Sequence, residues 1–139
     1  MNKTLKCFIS SSVEDLPVVN RLVDFLQSEG VESVRWDRGI FEPGMSIFEN
    51  LQNTISEVDF VIALIPSQKD TRSRTRENVM FEMGLIIGMG KPLIPLIRKA
   101  PDVKFPSDMI GIMYLQYEPT HIETSFHYIK NWIARFLEN

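Results

Sequence analysis

Phe60-Val61-Ile62-Ala63-Leu64-Ile65 is an unbroken apolar run closed by Pro66. Such a run suits the central strand of a parallel sheet, covered by helices on both faces. On its C-terminal side, residues 67–75 are polar and read as a loop. A helix is expected from about Arg76 to Met89, carrying Val79, Met83, Ile86 and Ile87. Gly84 and Gly88 are four apart on it. Each costs helix stability, which suggests a packing or functional reason, such as a backbone that approaches the sheet closely. Gly90-Lys91-Pro92 is a turn, and Leu93-Ile94-Pro95-Leu96-Ile97 is the next strand. Its internal proline favours a position nearer the edge. Residues 100–111 are mostly loop, with one short turn at Ser107-Asp108-Met109, and Ile112 to Tyr117 is a fifth strand. Thr120 and Glu123 make a capping box for a last helix marked by Ile122, Phe126, Ile129, Ile133 and Phe136.

The same alternation runs toward the N-terminus. Ser46 and Glu49 form a capping box before a helix whose apolar face is Ile47, Phe48, Leu51 and Ile55. Val31 to Trp36 is a strand, followed by a loop from Asp37 to Met45 with Gly39, Pro43 and Gly44. Leu5-Lys6-Cys7-Phe8-Ile9 is the first strand. Ser11 and Glu14 cap the helix after it, which carries Leu16, Val19, Leu22, Val23 and Leu26 and stops at Gly30. The fold class is therefore α/β: a three-layer domain spanning residues 1–139, with a five-stranded parallel sheet. The flavodoxin-like order 2-1-3-4-5 is expected, with ligands binding at the carboxyl ends of strands 1 and 3.

Composition narrows the function classes. The 139 residues are 44% hydrophobic and 24% charged, with a net charge of −3. A chain of this length buries roughly two-thirds of its unfolded surface. No global basic field draws it to nucleic acid or anionic lipid. The single cysteine, Cys7, permits no disulfide within the chain and suits a cytoplasmic location. No apolar stretch has the length of a signal peptide or a membrane span. His121 and His127 are six apart, the wrong spacing for a metal pair on a helix, so no metal site is expected. The loop after strand 1 holds Ser10-Ser11-Ser12 and strand 3 ends in Ile65-Pro66, which excludes a phosphoacceptor aspartate there. There is no dinucleotide glycine fingerprint, P-loop or nucleophile elbow.

What the expected ligand rim does hold is more specific. Glu82 lies mid-helix between Phe81 and Met83, with Asn78 one turn earlier on the same face. Most helix glutamates face solvent or a salt bridge, but a carboxylate in apolar surroundings needs partners or a purpose. Residues 69–76 contain Lys69, Arg72, Arg74 and Arg76 against one acid, Asp70. Arg74 and Arg76 stand where a helix N-terminus would help them meet a pyrophosphate; the alternative is a solvated surface loop. Trp36 and Phe41 are either rim aromatics that stack on a base or core residues, and Asp37 belongs to the rim or caps a turn. Ser10, Ser11 and Ser12 offer hydroxyls to a ribose or phosphate, or serve as helix caps.

Four stretches resemble a known family: Phe8-Ile9-Ser10-Ser11-Ser12, Trp36-Asp37-Arg38-Gly39-Ile40-Phe41, Arg76-Glu77-Asn78-Val79-Met80-Phe81-Glu82-Met83-Gly84, and Phe105-Pro106-Ser107-Asp108. They are similar to the TIR-like nucleotide-binding proteins of bacteria, including TIR domains fused to bacterial STING in CBASS anti-phage systems. The resemblance covers about residue 5 to residue 117, and the Asn-Val-x-Phe-Glu-x-Gly string is its most specific part. It implies a TIR-like fold and hydrolysis of NAD⁺, as substrate rather than cofactor, to nicotinamide and an ADP-ribose product. Glu82 takes the place of the catalytic glutamate. Asn78 then orients Glu82, Trp36 and Phe41 flank the nucleotide, and Arg74 or Arg76 meets phosphate. The expected partners are other copies of the domain through TIR–TIR contacts, and a cyclic-dinucleotide sensor domain or protein. Two rival readings stand beside this one. Nucleoside 2-deoxyribosyltransferases share a related fold and a Gly-Lys-Pro sequence, present here at 90–92. Many TIR domains are adaptors without enzymatic activity.

Overall fold

The computed structural model describes residues 4–10, 16–35, 47–65, 73–98, 115–118 and 120–138; the side chains of 47, 48, 73–80, 116 and 136–138 are excepted. Five strands, β1 (Leu5–Ser10), β2 (Val31–Arg35), β3 (Phe60–Ile65), β4 (Leu93–Arg98) and β5 (Leu115–Tyr117), alternate with helices. The helices are α1 (Leu16–Ser28), α2 (Ile47–Ser56), α3 (Ser73–Gly88) and α4 (Glu123–Glu138). The sheet order is β2-β1-β3-β4-β5 and every pair is parallel. This is the flavodoxin-like order expected from the sequence.

The apolar run 60–65 is the centre of the molecule, and every residue of β3 is buried. Alternation along the strands separates two cores. On one face, Cys7, Ile9, Phe60, Ile62, Leu64 and Leu96 pack against Leu22 and Leu26 of α1 and Ile129 and Ile133 of α4. Phe25 and Phe126 stack between these helices with centroids 4.2 Å apart. On the other face, Phe8 and Val61 pack against Leu51 and Ile55 of α2 and Ile86 of α3. The β1–β3 register is secured at its start, where the Lys6 amide donates to Asp59 Oδ2 at 2.9 Å and the Asp59 amide donates to the Lys6 carbonyl at 2.8 Å.

Pro95 sits in β4, one strand in from the β5 edge. The Val61 amide donates to the Pro92 carbonyl. Backbone groups of successive residues point to opposite neighbours, so Ile94 and Leu96 face β3 and Pro95 faces β5. Pairing with β5 starts at Leu96, one residue later, so the missing N–H breaks no bond to β3. Gly30 and Gly90 follow α1 and α3 in the left-handed region, at φ 77° and 73°, as helix stops.

Several boundaries and faces differ from expectation. The helix expected from Arg76 starts at Ser73, so Arg74 is in its first turn rather than in the preceding loop. Gly84 and Gly88 do not bring α3 close to the sheet: both are exposed and a Cβ on either would meet open space. Ile87, expected on the apolar face, is 47% exposed, and Phe81 is 59% exposed. Among the described side chains of α3, Met83 and Ile86 are buried, as expected. The capping box at Thr120 is not formed as expected, because α4 starts at Glu123 and the Thr120 hydroxyl bonds His121 Nδ1 at 2.8 Å. Residues 112–114 of the expected fifth strand, and the turn at 107–109, lie outside the described residues.

Lys91 ties the two helices of one face together. Its ammonium donates to the carbonyls of Val58 at 2.8 Å and Ser56 at 3.3 Å, at the C-terminal end of α2. A cation there also complements the helix dipole. The Gly90-Lys91-Pro92 turn thus has a structural role. Lys91→Met is expected to lower stability by about 1.5–3 kcal/mol, read as a lower midpoint in urea unfolding with an unchanged slope.

Candidate functional site

Ser10 is the last residue of β1 and pairs with Ala63 of β3, at the carboxyl end where the winding of the sheet reverses. Alternation places its side chain on the face of Phe8, the side covered by α2 and α3, while Cys7 and Ile9 point the other way. α3 crosses that face with Met83 and Ile86 inward. Glu82, beside Met83, is thereby carried to the edge of the packed surface and left half-buried.

The two meet. Ser10 Oγ donates a hydrogen bond to Glu82 Oε2 across 72 positions of sequence. Ser10 is fully buried. Burial pushes the Glu82 carboxyl above its ordinary value, and the hydroxyl of Ser10 pulls it back in part. A carboxylate so placed is a concentrated negative charge at the ligand-binding end of the sheet, with one oxygen anchored on a rigid strand. It can stabilise a developing cation, accept hydrogen bonds from a diol, or move a proton. By contrast, Cys7 is buried on the opposite face, where desolvation raises its thiol far above the ordinary range. It is an inert core residue rather than a nucleophile.

Asn78 lies on α3 four residues before Glu82, and Arg74 and Arg76 occupy the first turn of the same helix. Their side chains lie outside the described residues, as do Ser11, Ser12, Trp36, Asp37 and Phe41 altogether. Of the expected site residues, the structure brings together Ser10 and Glu82. The Ser10 hydroxyl, expected at a ribose or phosphate, donates its proton to Glu82. The sequence signal for that contact was weak. It consists of a small polar residue at the end of an apolar strand, on the side that alternation turns toward a helix.

The chain is similar to known proteins in sequence and in fold. The family model described as "CAP12/Pycsar effector protein, TIR domain" matches residues 6–119. The Pycsar effector protein PaPycTIR of Pseudomonas aeruginosa is 30% identical over 124 residues, covering 84% of this chain and 40% of the relative. CD-NTase-associated protein 12 of a Lachnospiraceae bacterium (strain RUG226) is 31% identical over 119 residues, covering 81% and 37%. The chain therefore spans about two-fifths of the length of these curated relatives. Among solved structures, the TIR domain of the Toll-related receptor TRR-2 of Hydra magnipapillata superposes with a TM-score of 0.63 at 20% identity. That match covers 96% of this chain and 98% of the other.

Proposed function

The chain belongs to the CAP12/Pycsar effector TIR-domain family of bacterial anti-phage proteins, and from that premise we propose that it is an N-glycosidase acting on NAD⁺. The observation that carries the reading is the half-buried Glu82 carboxylate, held by Ser10 at the carboxyl ends of β1 and β3. In NAD⁺ the glycosidic nitrogen already carries positive charge. When the C1′–N bond breaks, its electron pair returns to the pyridinium ring and nicotinamide leaves neutral. Ribose C1′ becomes oxocarbenium-like, and water adds there, releasing a proton to give ADP-ribose. No general acid is required, in contrast to ordinary glycoside hydrolysis with its two carboxylates. One anion suffices to stabilise the ribosyl cation, and its strength is greatest where water is partly excluded.

Asn78 orients Glu82 in this proposal, and Arg74 or Arg76 of the first turn of α3 meets phosphate. Ser11, Ser12, Trp36, Asp37 and Phe41 complete the nucleotide site. One relative is CD-NTase-associated protein 12, which supports activation by a cyclic nucleotide, through a sensor domain or protein. Self-association of the domains is the proposed means.

The test is direct. Protein that is free, and protein clustered on a multivalent scaffold, is given NAD⁺ and nicotinamide release is followed. Clustered wild type is expected to release nicotinamide and clustered Glu82→Gln is not. Release by neither would return the domain to a non-enzymatic adaptor, and equal release by both would remove Glu82 from the reaction. Base exchange from a deoxynucleoside in the presence of a free base, without NAD⁺ cleavage, would make it a deoxyribosyltransferase.

A further inference from the structure

We infer that Ser10 is a positioning residue that holds Glu82 Oε2 and so presents Oε1 as the oxygen that meets the ligand. The catalytic consequence rests on the reading of Glu82 as the reacting-centre carboxylate; the positioning itself rests on the Ser10–Glu82 contact.

Three features argue for positioning rather than ligand contact. First, Ser10 has no exposed surface, so a ligand entering the rim meets Glu82 before it meets the serine. Second, Ser10 belongs to the sheet. Its backbone pairs with Ala63 in the parallel ladder, and its neighbours Phe8 and Ile9 are buried in opposite cores. A serine has one side-chain torsion, so a hydroxyl on that backbone is a donor with little freedom to lose. Groups built on strands hold a reacting residue more tightly than groups on loops. Third, the two oxygens of Glu82 differ. Oε2 accepts from Ser10, and Oε1 has no hydrogen-bond partner among the described residues. A glutamate on a helix has three torsions, and an unrestrained one would sample geometries remote from a bound ribose.

The same bond sets the charge state. A hydroxyl that donates to a carboxylate favours the ionised form, and here it opposes the effect of burial. Among the described residues, the other titratable groups on the elements of this face are few. On β1 they are Lys6, at the far end, and Cys7, on the opposite face; β3 has none. β4 has Arg98 at its carboxyl end and α2 has Glu49 in its first turn. On α3 itself stand Arg74, Arg76 and Glu77, whose side chains lie outside the described residues. The shift of Glu82 has two causes, burial and Ser10. Removing the hydroxyl leaves burial unopposed.

The experiment compares wild type with Ser10→Ala and Ser10→Cys, the latter filling the same space with a weak donor. The Glu82 carboxyl is followed by carbon NMR across pH, its signal identified by its loss in Glu82→Gln. The titration midpoint is expected to rise in Ser10→Ala and to rise less in Ser10→Cys. With NAD⁺ and clustered protein, kcat is expected to fall between about 10- and 100-fold in Ser10→Ala with KM little changed. The acid limb of its pH profile should move up with the NMR midpoint. An unchanged midpoint in Ser10→Ala overturns the inference. So does a Ser10→Cys variant that titrates like wild type, because the effect would then belong to packing. A rise in KM alone would make Ser10 a ligand contact. Should wild type leave NAD⁺ untouched, the functional reading fails while the titration still decides the positioning.

Discussion

Glu82→Gln is expected to be more stable than wild type at pH 7 and to lose the proposed glycosidase activity by about 10²–10³-fold or more. Both effects come from one charge. Burial raises the Glu82 carboxyl in the folded protein above its value in the unfolded chain. The unfolded state therefore releases its proton at lower pH than the folded state does. The stabilising contribution of the protonated acid is complete below the unfolded value and is lost as pH rises through the folded one. At neutral pH wild type holds an unfavourable half-buried anion, and the amide does not. The amide oxygen still accepts from Ser10, so the bond across the site survives in neutral form. A gain of about 0.5–2 kcal/mol is the usual scale for relieving such a functional site. The gain should shrink toward zero as pH falls below the unfolded value of a glutamate, which thermal melts across pH would show. Activity should follow the opposite course in wild type, failing as pH drops through the raised Glu82 value. A destabilised Glu82→Gln at pH 7 would mean that the carboxylate is a structural ion-pair member, and the case for a catalytic charge would weaken with it.

Phe60→Ala is expected to produce the converse result, costing about 3–5 kcal/mol of stability while leaving the site intact in the molecules that stay folded. Phe60 is fully buried at the start of β3 and packs against Trp132 of α4, with ring centroids 5.0 Å apart. Truncation removes the transfer free energy of the ring and leaves a cavity that a sheet in the middle of two layers cannot collapse to fill. A domain of ordinary stability has about 5–15 kcal/mol in total, so the loss is a large share of it. The residue stands at the amino end of β3, about 16 Å along the strand from the end that faces the site. Denaturant unfolding should show a much lower midpoint. Nicotinamide release per folded molecule should stay near that of wild type. Paired with Glu82→Gln, the variant separates loss of fold from loss of charge.

The fold was legible because its signals are local. The run 60–65, the alternation of short apolar strand runs with helices whose apolar residues recur three or four apart, and glycines at 30 and 90 are each readable within a few residues. The handedness of parallel crossovers then leaves few topologies. Legibility failed where a local pattern had two readings. Gly84 and Gly88 suggest close packing or mere tolerance on an exposed face, and the rotation of α3 chose the second. Ile87 matched an apolar period but lies past the edge of the contact face. Thr120 and Glu123 have the spacing of a capping box, yet the helix starts at the glutamate.

Glu82 was legible as a candidate because a carboxylate in an apolar helical stretch is unusual, and the surrounding string made it specific. What the sequence by itself determined is therefore the winding of the sheet and the choice of Glu82 as the candidate carboxylate, since both depend on residue type and near-neighbour order. Only the tertiary structure decided that Ser10 and Glu82 share a hydrogen bond. That contact requires the rotation of α3 about its axis, the side of β1 from which Ser10 projects, and the depth at which one packs on the other. Burial across two cores sets all three at once, and no stretch of neighbouring residues encodes them.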